Sequence, residues 1–243
     1  MLTVDVLVIG GGCAGLRAAA EAAGLGARVL LLNKGRIGRT GCSAFVDHRI
    51  EYSLMNIPDQ APDSPERYLQ DLLACGAGRN DRAVIEAFVA GIMEEREFLR
   101  ALGMRFREEG GGPRRVQLPG HACARSLVCE EGFGRKLLVR LGDLARARGA
   151  DLREGMVVLE LLRDGERVAG VLAVHGRTGE LTAVRAGAVV LAAGSGTPFP
   201  SPPTHRTSPG MAWRWPAAPA PCCGTWSSSS AIRSPPPRLT ART

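Results

Sequence analysis

Apolar positions follow two rhythms along this chain, and their order predicts an architecture. Residues 3–9 make a short apolar run rich in β-branched side chains, interrupted by Asp5, and predict a strand. Gly10-Gly11-Gly12 ends it. Residues 13–25 are alanine-rich and contain no proline, which predicts a helix closing near Gly24 or Gly26. The run RVLLL at 28–32 is apolar on both faces, as buried parallel strands are. These three segments form a β-α-β unit.

The middle of the chain changes rhythm. Residues 34–63 read as loop. Asp63 or Ser64 can cap a helix reaching about Leu73, and Asn80 or Asp81 caps a stronger one. In the stronger helix Ile85, Phe88, Val89, Ile92 and Leu99 fall on one face, and Gly103 stops it. EEGGGPRR at 108–115 predicts a turn or hairpin tip, and residues 134–148 predict another amphipathic helix ended by Gly149. Strand-like runs follow at 156–162, 167–174, 181–185 and 188–192, with turns at Asp164-Gly165 and 177–179. The expected fold is α/β: a doubly wound parallel sheet with a helical insertion and a β-meander.

Composition alters this picture mainly at the C-terminal end. The net charge of +7 invites a nucleic-acid reading. However, Arg206, Arg214, Arg233, Arg238 and Arg242 all lie after Gly196, in a stretch with no Asp, Glu or Lys. The rest holds 26 basic against 24 acidic residues, with no basic helix or aromatic-interleaved patch, so nucleic acid is not an expected partner. Eleven of the 16 prolines and all three tryptophans also lie after Gly196. No run of about 18 apolar residues predicts a membrane span. The N-terminus is a poor signal peptide, because it carries Asp5 and runs straight into glycines. Seven cysteines without an even framework or metal-ligand spacing read as reduced thiols, so the expected location is cytoplasmic and no metal site is expected.

The candidate chemistry lies in VLVIGGGCAGLRAA. It contains GxGxxG as Gly10, Gly12 and Gly15, after a strand and opening a helix, the context in which this pattern binds dinucleotides. Gly10 permits the tight turn, Gly12 lets a pyrophosphate approach the backbone, and Gly15 lets helix and strand pack. The helix N-terminus offers N–H groups and a positive dipole end to phosphate. Many such sites end the second strand in Asp or Glu to hold ribose hydroxyls. This chain has Asn33 and Lys34, where Asn can still donate to and accept from a hydroxyl.

These residues carry a resemblance. The chain resembles the flavoprotein subunits of the succinate dehydrogenase, fumarate reductase and L-aspartate oxidase family over residues 3–200. VDVLVIGGGCAGLRAA resembles the first FAD fingerprint, and LLLNKG its second-strand end. GRTGCSAF resembles the small-residue segment beside the flavin, and GAVVLAAGSG the second fingerprint. PGHACAR resembles a looser Gly-His-x-x-x-Arg feature. The resemblance implies a Rossmann-like FAD-binding domain over residues 1–196. It implies FAD contacts from Gly10, Gly12, Cys13, Ala14, Gly15, Asn33, Lys34, Thr40, Gly41, Cys42, Ser43, Val158, Ala193 and Gly194. His121 and Arg125 are expected either on the flavin or substrate side or as structural loop residues. Membrane-bound members attach FAD to a histidine in a Ser-His-Thr segment. Gly41 stands at that position here, which implies non-covalent FAD. The implied activity is hydride transfer between flavin and a dicarboxylate or amino-dicarboxylate, and the implied electron partner is an iron–sulfur subunit. An NAD-binding reductase is disfavoured by the second fingerprint and Asn33. A non-catalytic FAD-binding module is the other class kept open.

The tail departs from the family. There the second fingerprint leads into a Thr-Thr-Asn-Pro-Pro segment, Thr-Gly-Asp-Gly, an alanine-rich helix and a Glu-Phe-x-Gln-Phe-His-Pro motif. Joining the last base of each codon to the first two of the next permits this pattern. Met211–Ala212 then encodes Gly, and the junctions from Ala212 to Pro216 permit alternating large apolar residues and Ala. Further junctions permit R-R-A-G-A-V-L-R-D-M-E-F-V-Q and then His-Pro. The expectation is that the reading frame slips near Ser201, leaving 197–243 as a disordered, out-of-frame tail. The histidine and the proton-delivering arginine of the family's substrate site are not readable in this frame, so the chain as given is expected to be inactive by itself.

Overall fold

A computed structural model describes residues 1–45 and 54–194 of the 243. In chain order its elements are β1 (Leu2–Ile9), α1 (Cys13–Gly24), β2 (Val29–Asn33) and a short 3₁₀ turn (Cys42–Phe45). Next come β3 (Leu54–Asn56), α2 (Pro65–Cys75) and α3 (Arg82–Ala101). Two short pairs follow: β4 (Glu108–Glu109) with β5 (Gly112–Pro113), and β6 (Arg115–Val116) with β7 (Ser126–Val128). The described chain ends with α4 (Phe133–Ala147), β8 (Asp151–Glu154), β9 (Met156–Asp164), β10 (Arg167–His175) and β11 (Leu181–Leu191).

The chain divides into two compact units, Met1–Phe45 with Leu137–Thr243, and Val46–Lys136. The first unit holds a six-stranded sheet in the order β8-β2-β1-β11-β10-β9. Strands β8, β2, β1 and β11 run parallel, and β11, β10 and β9 form the antiparallel meander. This is the expected mixed α/β architecture, with a sheet dominated by its parallel strands.

Strand alternation sorts the sheet's side chains onto two faces. Leu7 and Ile9 of β1 and Leu30 and Leu32 of β2 share one core with Met156, Val158, Val171, Ala173, Val184 and Ala186. Val8 and Leu31 point the other way and are equally buried. On α1, Leu16, Ala19, Ala20 and Ala23 are buried and the helix packs on β1, β2 and β11. Alanines suit this helix because they let it lie close to the sheet. Each fully buried Leu or Val contributes about 1.5–3 kcal/mol to holding the layers together.

The second unit packs α2 and α3 with the small sheet β3-β7-β6 around Ile57, Tyr68, Val89, Ile92 and Leu127. Both helices start on side-chain caps. Ser64 Oγ accepts from Arg67 N at 3.2 Å, and Asp81 Oδ1 accepts from Ala83 N at 3.0 Å.

Three predicted boundaries shift. A single strand, β11 (Leu181–Leu191), stands where two were expected. Gly187 does not break it but lets it run close to β1, where a Cβ would sit 2.9 Å from the Asp5 carbonyl oxygen. The loop read over 34–63 contains the 3₁₀ turn and β3. Strand β8 (DLRE) has no apolar run to announce it. It exists because the β2 backbone offers a ladder, pairing Leu30 with Asp151 through Asn33 with Glu154. The expected tail over 197–243 lies outside the described residues.

Candidate dinucleotide-binding site

The glycine turn sits where the parallel strands end. Gly10 N donates to Leu32 O of β2 at 2.9 Å, and Ala192 N, just past β11, donates to Ile9 O at 2.8 Å. The turn is therefore stitched to the strand on each side. The three fingerprint glycines face different surroundings. Gly10 has φ +109°, and a Cβ there would lie 2.3 Å from the Ala192 carbonyl oxygen. A Cβ on Gly15 would lie 1.8 Å from the Gly10 carbonyl oxygen. Protein contacts alone account for both.

Gly12 is different. A Cβ there would meet only Ser43 Oγ, at 3.4 Å. Among the described residues the space over it is open, and it is the N-cap of α1 with no side-chain cap bond and no acidic residue in the first turn. An uncapped helix end below open space fits the pyrophosphate of a dinucleotide. Cys13 N reaches Ser43 Oγ at 3.4 Å, which brings the 40–43 segment beside the turn. Thr40 Oγ1 donates to Arg36 O at 2.9 Å, and Gly41 has φ +84°.

Asn33, at the end of β2, accepts from Gly11 N at 3.0 Å and donates to Gly35 O at 3.0 Å. Lys34 is half-buried, and burial pushes its ammonium below the usual lysine range. No carboxylate is paired with it among the described residues. Gly194, the last described residue, has φ +79° and open space around its Cα. Thus the candidates from Gly10 to Gly15, Asn33, Lys34, Thr40 to Ser43, Ala193 and Gly194 all lie at or next to the carboxyl ends of β1, β2 and β11. That is where open α/β sheets bind ligands.

Val158 does not join them by its side chain, which is 3% exposed and packs in the sheet's core. Any cofactor contact there falls to its main chain.

His121 and Arg125 belong to the second unit. The Arg125 side chain is 0% exposed. Its Nε and Nη2 fork onto Asp63 at 2.7 Å each, and Nη1 reaches Asp71 Oδ2 at 2.6 Å. The guanidinium lies 4.6 Å from the Tyr68 ring centre. Burial alone would lower its pKa, but the bonds to Asp63 and Asp71 outweigh that and hold it above the usual arginine value. Burial pushes the Asp71 carboxyl up, and the Ala122 N–H and Arg125 more than reverse it. His121 packs beside Tyr68 at 5.7 Å between ring centres, and its Nδ1 is buried without a partner among the described residues. Burial, then the nearby Arg125 charge, lowers its pKa below the usual imidazole value. This geometry favours the structural reading of Arg125. Of its counter-charges, Asp71 looks in the sequence like an ordinary surface acid, and Asp63 reads there only as a candidate helix cap.

A parallel sheet with a glycine turn, an uncapped helix end and open space at its carboxyl edge defines a dinucleotide-binding protein of the Rossmann kind. Residues 5–215 match the family described as FAD binding domain, and the chain belongs to it. Similar proteins include the L-aspartate oxidase of Streptomyces coelicolor, 32% identical over 199 residues covering 79% of this chain and 33% of that protein. The fumarate reductase (cytochrome) of Shewanella frigidimarina is 29% identical over 79% of this chain and 33% of its own length. Among solved structures, E. coli quinol fumarate reductase superposes with a TM-score of 0.69 at 26% identity, covering 80% of this chain and 33% of that one. The chain thus spans about a third of the length of the relatives it matches. It is an FAD-binding domain homologous to the flavoproteins of the fumarate reductase and succinate dehydrogenase family, as the resemblance implied. No helix among the described residues is long and apolar enough to cross a membrane.

Proposed function

We propose that this chain is the FAD-binding part of a flavin-dependent oxidoreductase that moves a hydride between flavin and a dicarboxylate or amino-dicarboxylate. The observation that carries the reading is the open space over Gly12 at the uncapped end of α1. The flavin, when bound, supplies the two-electron redox chemistry. The chain's part is to hold it. Gly12, Ala14 and Gly15 present main chain to the pyrophosphate, Lys34 adds a cation beside it, and Thr40 to Ser43 with Ala193 and Gly194 line the approach to the ring.

FAD is held non-covalently in this reading. Gly41, at the position of the family's histidine attachment, has φ +84°, a backbone conformation that side-chain-bearing residues rarely adopt. Purified chain titrated with FAD should acquire flavin absorbance near about 370 and 450 nm. Acid precipitation should release all of it to the supernatant. Flavin staying with the pellet would refute non-covalent binding, and no uptake at all would refute the site.

The similarity to L-aspartate oxidase supports an amino-dicarboxylate as the second substrate class. Electron exchange with an iron–sulfur subunit and a cytoplasmic location belong to the same proposal. So does the slipped frame near Ser201, with 1–196 as the folded part. Sequencing the coding DNA tests the slip: the shifted frame should stay open through and beyond codon 243, and a stop codon within it would end the idea.

A further inference from the structure

Asn33 occupies the place where related dinucleotide folds put an acid for the ribose, yet its amide is turned toward the protein. Its oxygen accepts the Gly11 N–H at 3.0 Å, across 22 residues of sequence. Its nitrogen donates to the Gly35 carbonyl at 3.0 Å. The carboxamide lies flat against the glycine turn: a Cβ on Gly11 would come 2.9 Å from Asn33 Cγ and 3.1 Å from Asn33 Cβ. Gly11 is outside the GxGxxG positions, and this contact gives the reason for it.

We infer that Asn33 is a positioning residue, a two-headed clip that fixes the glycine turn to the 34–40 segment before the cofactor arrives. This inference rests on the FAD-site reading. The clip needs one acceptor and one donor. Asparagine supplies both, whereas an ionised aspartate supplies only acceptors and would set an oxygen anion against the Gly35 carbonyl. The acid that suits a ribose chelator is therefore the wrong residue here. The charged groups around it are Lys34, next in the chain, and Glu154, opposite it on β8, whose Oε1 accepts from Ile37 N at 2.8 Å.

Asn33→Asp separates the two roles by sign. A ribose ligand of the usual kind would keep or tighten FAD binding as the acid ionises. A clip predicts FAD dissociation constants at pH 8 raised at least about tenfold, the weight of one buried group left unsatisfied. It also predicts recovery toward wild type at pH 5 and below, because a protonated carboxyl again offers one acceptor and one donor. Binding at pH 8 equal to or tighter than wild type would overturn the inference. Amide exchange on the FAD-free wild-type chain provides a second readout that needs neither a variant nor cofactor. Gly11 N–H should be protected, and Gly11 exchanging at the unfolded rate in an otherwise protected β1 would overturn the clip. If wild type took up no FAD while Gly11 stayed protected, the site reading would fail and the clip would stand.

Discussion

Two polar clusters in this molecule use similar residue types to opposite ends. Around Arg125, every charge is answered: one guanidinium, two carboxylates and an aromatic face, with the arginine fully buried. Around Gly12, the fixed groups leave room among the described residues: an N-cap residue with no side chain to cap the helix, a half-buried Lys34 without a carboxylate, and space where a side chain would fit. A buried cluster whose charges are all paired has no charge left for a ligand, whereas a cation unpaired among the described residues at a strand's carboxyl edge does. That difference distinguishes Arg125 from Lys34 more sharply than their residue types do.

The largest effect expected from breaking this contrast is at Arg125. Arg125→Ala leaves Asp63 and Asp71 without their buried partner and should cost about 3–5 kcal/mol of stability in urea unfolding. Arg125→Lys should recover little, because a single ammonium cannot fork onto Asp63 and also reach Asp71. A variant as stable as wild type would mean the cluster is less closed than its geometry.

The glycine turn gives the next pair. Gly15→Ala drives a methyl into the Gly10 carbonyl and should prevent a stable first unit. Gly12→Val should fold with little change in melting temperature and lose detectable FAD binding by fluorescence titration. If both variants lost stability alike, the space over Gly12 would not be a ligand's. Lys34→Met should weaken FAD roughly tenfold, with a shallower salt dependence of binding. It should not lower the melting temperature, since the ammonium is desolvated without compensation.

The smallest effect is at Asp5, which accepts from Arg28 through Nε and Nη2 and from its main-chain N–H. These bonds hold its carboxyl down at about 2 against an ordinary 3.8. A carboxyl depressed in the folded state adds stability above its ordinary value and loses it as pH falls through the folded one. The stability difference between wild type and Asp5→Asn should therefore be present at pH 7, shrink from about pH 4 and vanish below about pH 2. A pH-independent difference in thermal melts would remove Asp5–Arg28 from the account.

Much of the fold was legible because it is written locally. Ser64 and Asp81 announced their helices through side chains that reach only two or three residues. The GxGxxG turn was readable because strand, turn and helix are contiguous. β8 was not readable, since four residues with two acids and an arginine carry no strand signal until β2 lies beside them. Val158 was a contact that the resemblance implied, while its side chain belongs to the sheet's core.

The sequence by itself determined the β-α-β start, the helical middle, the meander and the residues that could meet a dinucleotide, because short-range spacing and periodicity encode them. Tertiary structure alone decided what several of those residues do. Arg125 is neutralised by an aspartate 62 positions away, and Asn33 is claimed by an amide 22 positions away. A polar side chain takes its role from whichever partner reaches it first in space, and sequence distance does not carry that information.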